Sequence, residues 1–247
     1  MNTLHFSVGT NSKLGRFIDS LSLPAGYTCP NALTCQSFAD RKTGKITDGK
    51  HCKVRCYAAS MECQYPPLRK KVWDNYDLLM ACKTKEEMVE LIQRSLPKDT
   101  NTLRPGVNGD YFIEMYFDAW IQVAINNPHI HFYSYTKMIS WWLARRSIIP
   151  KNLVLTASMG GKEDHLIKKN QLKFVEIVFS VQEAKEKGLE IDHDDSHAYK
   201  GTEPFCVIIH GTQPANSEAG KAWQLLKKQG IGGYGKQKAK RDLVNIK

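Results

Sequence analysis

The sequence predicts an α/β fold, a partial (β/α) barrel of mainly parallel strands with a loop-rich cysteine region near the N-terminus. Three observations lead there. Short β-rich runs alternate with helical stretches from about residue 108 onward. Only a few turn-type residues join each pair, as repeated βα units require. A chain of 247 residues with 42% hydrophobic and 10% aromatic content can also bury a sizeable core, so one domain spanning 1–247 is expected.

Four strands are predicted, at 129–135, 153–158, 174–179 and 205–210, each rich in β-branched and aromatic residues. Between them the spacing is helical. Phe117, Trp120, Ile121 and Ala124 recur at i, i+3, i+4 and i+7 before Asn126-Asn127-Pro128 stops the pattern, and residues 217–229 repeat that logic. The first hundred residues differ. A cysteine-bearing loop region at 26–65 is followed by helices at 67–82 and 85–95, with Pro66 and Pro67 at the start of the first. Gly230-Ile231-Gly232-Gly233-Tyr234-Gly235 follows a helix instead of linking a strand to one, so it reads as a glycine-rich stop and not as a dinucleotide loop. The basic stretch 236–241 belongs to a predicted mobile tail at 236–247.

No run approaches the ~18 apolar residues of a membrane span, and the polar start Met1-Asn2-Thr3 is unlike a secretory signal, so a cytoplasmic location with reduced cysteines is expected. The formal net charge of +10 favours phosphate-rich partners but identifies no site. Trp141-Trp142 with Arg145-Arg146 could stack on and neutralise nucleic acid; the plainer reading is one core-facing tryptophan and solvated arginines.

Five of the seven cysteines fall within 35 residues: Cys29, Cys35, Cys52, Cys56 and Cys63, with spacers of five, sixteen, three and six. Thiolates are soft ligands suited to zinc or iron–sulfur centres, and irregular loops let several converge. Structural zinc sites usually pair their cysteines at two to four residues, which only Cys52 and Cys56 satisfy, with His51 available to complete such a site. Buried free thiols are the alternative, and they account best for Cys82 in a helix and Cys206 in a core strand.

Thr28-Cys29-Pro30 through Cys35, with the later Cys56-Tyr57-Ala58, resembles a bacteriophage-encoded family of poorly characterised iron–sulfur proteins related to radical-SAM barrels. The resemblance extends to Ser12-Lys13-Leu14-Gly15, Gly109-Asp110-Tyr111-Phe112, Tyr116-Phe117-Asp118-Ala119-Trp120, Tyr135-Thr136-Lys137, Asp194-Asp195-Ser196-His197-Ala198 and His210-Gly211-Thr212-Gln213. It implies an iron–sulfur cluster, a [4Fe-4S] centre, on a partial α/β barrel. Radical-SAM enzymes resemble one another in a Cys-x3-Cys-x2-Cys loop; here Cys52 and Cys56 fit two positions and Ala59 occupies the third. Cys29 and Cys35 must then complete a cubane, with Cys52 and Cys63 competing for the fourth place and Cys52 preferred for its helical-turn spacing from Cys56. Four thiolates would close the cluster to SAM; three would leave an iron open.

In parallel barrels the reactive face lies at the carboxyl ends of the strands. Thr136, Lys137, Ser158, Ser180, His210 and Thr212 fall there. Lys137 offers charge for an anionic small molecule, Thr136, Ser158 and Thr212 offer polar contacts, and His210 could carry a proton. Asp110 could accept a hydrogen bond from substrate or cap a helix. Residues 192–197 crowd three carboxylates with two imidazoles, where Asp195 and His197 could serve acid–base work or a hard metal, or simply be solvated. The expected function is therefore redox or lyase-like chemistry at an iron–sulfur cluster, with an unknown redox partner. A metal-stabilised nucleic-acid-binding module and a SAM-dependent radical enzyme are the alternatives.

Overall fold

The computed structural model describes residues 2–9 and 17–231; the Ser12-Lys13-Leu14-Gly15 motif, residues 232–235 and the basic tail lie outside them. Strand β1 (Ile18–Ser20) is followed by a hairpin, β2 (Ser37–Ala39) and β3 (Ile46–Asp48). Three helices come next: α1 (Tyr57–Gln64), α2 (Pro66–Ala81) and α3 (Lys85–Ser95). The remaining chain alternates β4 (Thr102–Arg104), α4 (Glu114–Asn126), β5 (His131–Thr136), α5 (Ile139–Ala144), β6 (Leu153–Ser158), α6 (Asp164–Lys169), β7 (Phe174–Val178) and α7 (Val181–Glu186). It ends with β8 (Glu190–Ile191), α8 (Ser196–Tyr199), β9 (Phe205–Ile208) and α9 (Glu218–Lys228).

Seven strands form one sheet in the order β1-β4-β5-β6-β7-β9-β8, and every pairing in it is parallel. All four predicted strands are present, at nearly the expected bounds. The short strands β1, β4 and β8 were not predicted, because two or three residues are too few to display a period of two. The predicted loop region 26–65 likewise contains the β2–β3 hairpin and α1. Strand order departs from sequence order at one edge, where β9 inserts between β7 and β8.

The helices start where local chemistry favours it. Pro66 and Pro67 occupy the first turn of α2, where a missing N–H costs nothing. Thr84, Ser180 and Ser217 cap α3, α7 and α9 by accepting from the N–H of Glu87, Glu183 and Gly220. Ser180, a candidate at a strand end, is thus a helix cap. The predicted stripe of α4 is its core face: Phe117, Trp120 and Ala124 are fully buried. Gly230, at φ 71°, ends α9.

Contacts also cross the sheet from edge to edge. Ile18 of β1 packs in one cluster with Tyr133 of β5, Val175 of β7 and Phe205 of β9. Asp195, just beyond β8, reaches Arg104 of β4 and Tyr133 of β5. No hydrogen-bonded pairing joins β1 to β8 among the described residues.

Candidate metal centre

The carboxyl ends of the strands open on a cavity of about 190 Å³. Its wall includes Cys29, Cys35 and Cys56 together with Asp110, Thr136, Lys137, Ser158, Asp195 and His210. Residues scattered over nearly two hundred positions meet because parallel strands all end on one side.

The loop carrying Cys29 and Cys35 is laid across those strand ends by backbone bonds. Asp110 N–H donates to Thr28 C=O at 3.0 Å, and the N–H groups of Leu33 and Thr34 both donate to Gly160 C=O, at 3.1 and 3.0 Å. Gly160 has φ 90°, and a Cβ there would lie 2.2 Å from Thr34 Oγ1, so the close approach requires glycine. Lys53 and Val54 N–H donate to Thr34 C=O, joining the second cysteine segment to the first.

Cys56 stands at the N-cap of α1 with an extended backbone, so the helical relation expected between Cys52 and Cys56 is not realised. Gln213 holds the peptide before Cys56: its Oε1 accepts from Arg55 N–H at 2.8 Å and its Nε2 donates to Arg55 C=O at 2.9 Å. Next to it Gly211 has φ 80°, and a Cβ would come within 2.9 Å of Tyr57 Cβ. Residues 210–213 therefore press the Cys56 segment onto the end of β9.

Three thiols thus face one cavity while Cys52 does not line it. Its Sγ lies 3.5 Å from Ser37 Oγ and 3.3 Å from Val54 C=O. Cys63 and His51 are exposed away from the cavity. Cys206 is a core thiol in β9, and Cys82 donates to Leu78 C=O at the end of α2. Burial pushes the Cys29 thiol well above its ordinary range, aided by the Asp110 charge and by Cys56 and Cys35. Burial likewise pushes Cys56 up to about 12, with Cys35 adding to it. Burial thus favours the protonated thiol at Cys29 and Cys56, and a metal bound there must displace those protons. Among the described residues no three His, Cys, Asp or Glu side chains gather closely enough to hold a metal ion.

The polar candidates divide. Asp110 is buried and saturated: Oδ1 accepts from Thr136 Oγ1 and Tyr111 N–H, both at 2.7 Å, and Oδ2 from Lys137 N–H at 2.8 Å. Burial nevertheless raises its pKa. Lys137 Nζ donates to Ser158 C=O at 3.0 Å, Ser158 Oγ at 2.8 Å and Met159 C=O at 2.7 Å, which uses all three ammonium protons. Lys137 and Ser158 therefore tie β5 to β6 beside the cavity. His210 Nδ1 lies 3.0 Å from Ile208 C=O, and its ring packs at 5.3 Å against Tyr57.

Asp195 enters the cavity wall in a left-handed conformation, φ 64°. Arg104 Nη1 donates to its Oδ2 at 2.5 Å, Tyr133 OH to the same oxygen at 3.1 Å, and Tyr135 OH to Oδ1 at 3.3 Å. His197 and Thr212 are not in the wall. Thr212 is exposed and its Oγ1 accepts from Gln64 Nε2. His197 lies between Asp192, 2.7 Å from Nδ1, and Glu190, 2.8 Å from Nε2.

Burial opposes the charge on His197, but bonds to Glu190 and Asp192 outweigh it and raise its pKa. The stabilisation is then full below the ordinary histidine pKa and is lost as pH rises through the raised value. Its size is expected to be about 1 kcal/mol or less. Urea unfolding across neutral pH should show stability falling as pH rises, and His197→Gln should flatten that slope.

Arg104, Asn108 and Gln213 were not singled out from sequence. Arg104 ends a strand of three residues, and Gln213 lies in a quoted motif from which only its neighbours were chosen. In the Trp141–Arg146 stretch both tryptophans pack partly against the core, where one was expected to, and Arg145 donates to Asp118 and Glu114 instead of facing solvent alone.

No helix of the described residues is long and apolar enough to cross a membrane. No solved structure matches the chain. The Gene 88 protein of Mycobacterium phage L5 is 25% identical over 231 residues, covering 88% of this chain and 82% of that protein, which agrees with the phage connection. The family model described as Gene product 88 matches residues 3–225, a span that includes the cysteine loops, every strand and the Asp195 and Gln213 segments. This chain belongs to the Gene product 88 family.

Proposed function

We propose that this protein holds an iron–sulfur cluster through Cys29, Cys35 and Cys56 and acts on a small molecule in the same cavity, in the host cell cytoplasm. The supporting observation is that three cysteines from two loop segments share one wall with the strand-end polar residues. The ligands of a multi-iron cluster bind different irons and so stand farther apart than those of a single zinc, which favours the cluster over zinc at this spacing. With three thiolates and Cys52 outside, a [4Fe-4S] centre would keep one iron open and would supply electron transfer to whatever bound there. That count favours SAM-dependent radical chemistry over a closed, electron-carrying cluster as the second reading. The rest falls to the chain itself: Asp110 and Lys137 brace the strand ends, and Gln213 fixes the Cys56 peptide.

The curved sheet fits a partial barrel. Asp195 beyond β8 pairs with Arg104 of β4, an approach that a flat sheet of this strand order would forbid.

Anaerobic purification followed by optical and EPR spectra and by iron, sulfide and zinc analysis tests the proposal. Near-stoichiometric iron and sulfide with a brown chromophore is the expected result. Colourless, zinc-loaded protein with steeply salt-dependent DNA or RNA binding would replace it with the metal-stabilised nucleic-acid module.

A further inference from the structure

The guanidinium of Arg104 is bound on one side only. Nη1 donates to Asp195, and the cation lies 4.4 Å from the centre of the Tyr135 ring, which covers a face. Nε is sealed from solvent without an acceptor, and Nη2 makes no hydrogen bond among the described residues. A buried guanidinium donor normally finds a partner, and of the two without one only Nη2 is not sealed from the cavity.

Asn108 stands in the same wall, with its amide open to the cavity rather than sealed. It is 5% exposed and lines the same cavity, yet its side-chain amide has no hydrogen-bond partner among the described residues. The loop that carries it is held firmly: Leu23 N–H donates to Asn108 C=O at 2.9 Å, Val107 N–H to Leu21 C=O at 3.0 Å, and Asp110 N–H to Thr28 C=O at 3.0 Å. These two groups are thus fixed before any ligand arrives.

We infer that Arg104 and Asn108 form a seat for the carboxylate of a small substrate whose apolar body lies against Val175, Ile177 and Val207. Arg104 Nη2 and the Asn108 amide can each donate to a carboxylate oxygen, the first bond being charge-assisted. A phosphate dianion fits less well. Lys137 has no uncommitted ammonium proton, and Arg55, also in the wall, is already charge-paired with Asp48 through Nε and Nη2. The three aliphatic side chains belong to β7 and β9 and line the cavity beside Tyr135. These three form a short apolar strip, which suits a branched or single-ring body.

The seat deepens the proposed function by naming its substrate class, but it uses no cysteine. Titration calorimetry of the full chain with isovalerate and benzoate tests it, against isovaleramide, benzamide and inorganic phosphate. The carboxylates are expected to bind saturably and the amides at least about tenfold more weakly, as the loss of charge-assisted bonds requires. Arg104→Lys keeps the charge but loses the planar group that bonds Asp195 through Nη1 while offering Nη2, and should weaken carboxylate binding by about tenfold. Asn108→Asp places a like charge in the seat and should abolish binding with the unfolding midpoint preserved. Amides binding as tightly, phosphate binding more tightly, or unchanged binding in Asn108→Asp would each overturn the inference. Calorimetry reads the seat and iron and sulfide content reads the cluster, so failure of the cluster proposal and failure of the seat give different results.

Discussion

Asp195→Ala is expected to destabilise the protein by about 3–5 kcal/mol, because it strands a buried guanidinium. Arg104 and Asp195 are 8% and 3% exposed. Burial works against the Arg104 charge, and Asp195, with the nearby tyrosines, more than offsets it and raises the pKa. Removing the carboxylate also takes the acceptor from Tyr133 and Tyr135. Typical domains have only about 5–15 kcal/mol of stability in total, so a loss of this size would be plain in urea unfolding at neutral pH. A double change, Arg104→Met with Asp195→Leu, should recover much of the loss, since breaking a buried pair costs more than replacing it with apolar groups. A loss below about 0.5 kcal/mol for Asp195→Ala would show that this contact does not hold the β8 end against β4.

The second large effect concerns the thiols. Cys29→Ala, Cys35→Ala and Cys56→Ala are each expected to lose nearly all cluster iron and sulfide, while Cys52→Ala and Cys63→Ala keep theirs. The difference follows from position. The first three line the cavity, whereas Cys52 is turned to Ser37 and Val54 and Cys63 is exposed. Iron and sulfide analysis with EPR of the five variants reads the ligand count directly. Loss in Cys52→Ala as well would mean four thiolates and a closed cluster, which would remove the SAM-dependent reading. Retention in all five would leave the cavity cysteines as ordinary buried thiols.

The longer elements were legible because their patterns are local. The stripe of α4, the strands β5, β6, β7 and β9, and the proline start of α2 each span enough residues for periodicity or a cap to declare itself. Strands β1, β4 and β8 were not legible at two or three residues each, yet they complete the sheet. Within the site, the clustering of cysteines and the polar strand ends could be read from the chain, since parallel βα units carry strand ends to one face. Thr212 and His197 could not be separated from Asp195 and His210 in that way, because neighbours in a loop differ only in which side chain turns inward.

By itself, then, the sequence determined the α/β class, the main helices and strands, and the two segments that bring thiols to one end of the sheet. Which of those thiols share a wall was decided only in three dimensions, where bonds of the Thr34 and Gly160 carbonyls and the Gln213 clasp set the two loops against each other. The Arg104–Asp195 pair and the Asn108 amide, which has no hydrogen bond among the described residues, were decided there too. They arise from elements far apart in the chain, and a buried charge or an unfilled hydrogen bond exists only once the surrounding structure has excluded water.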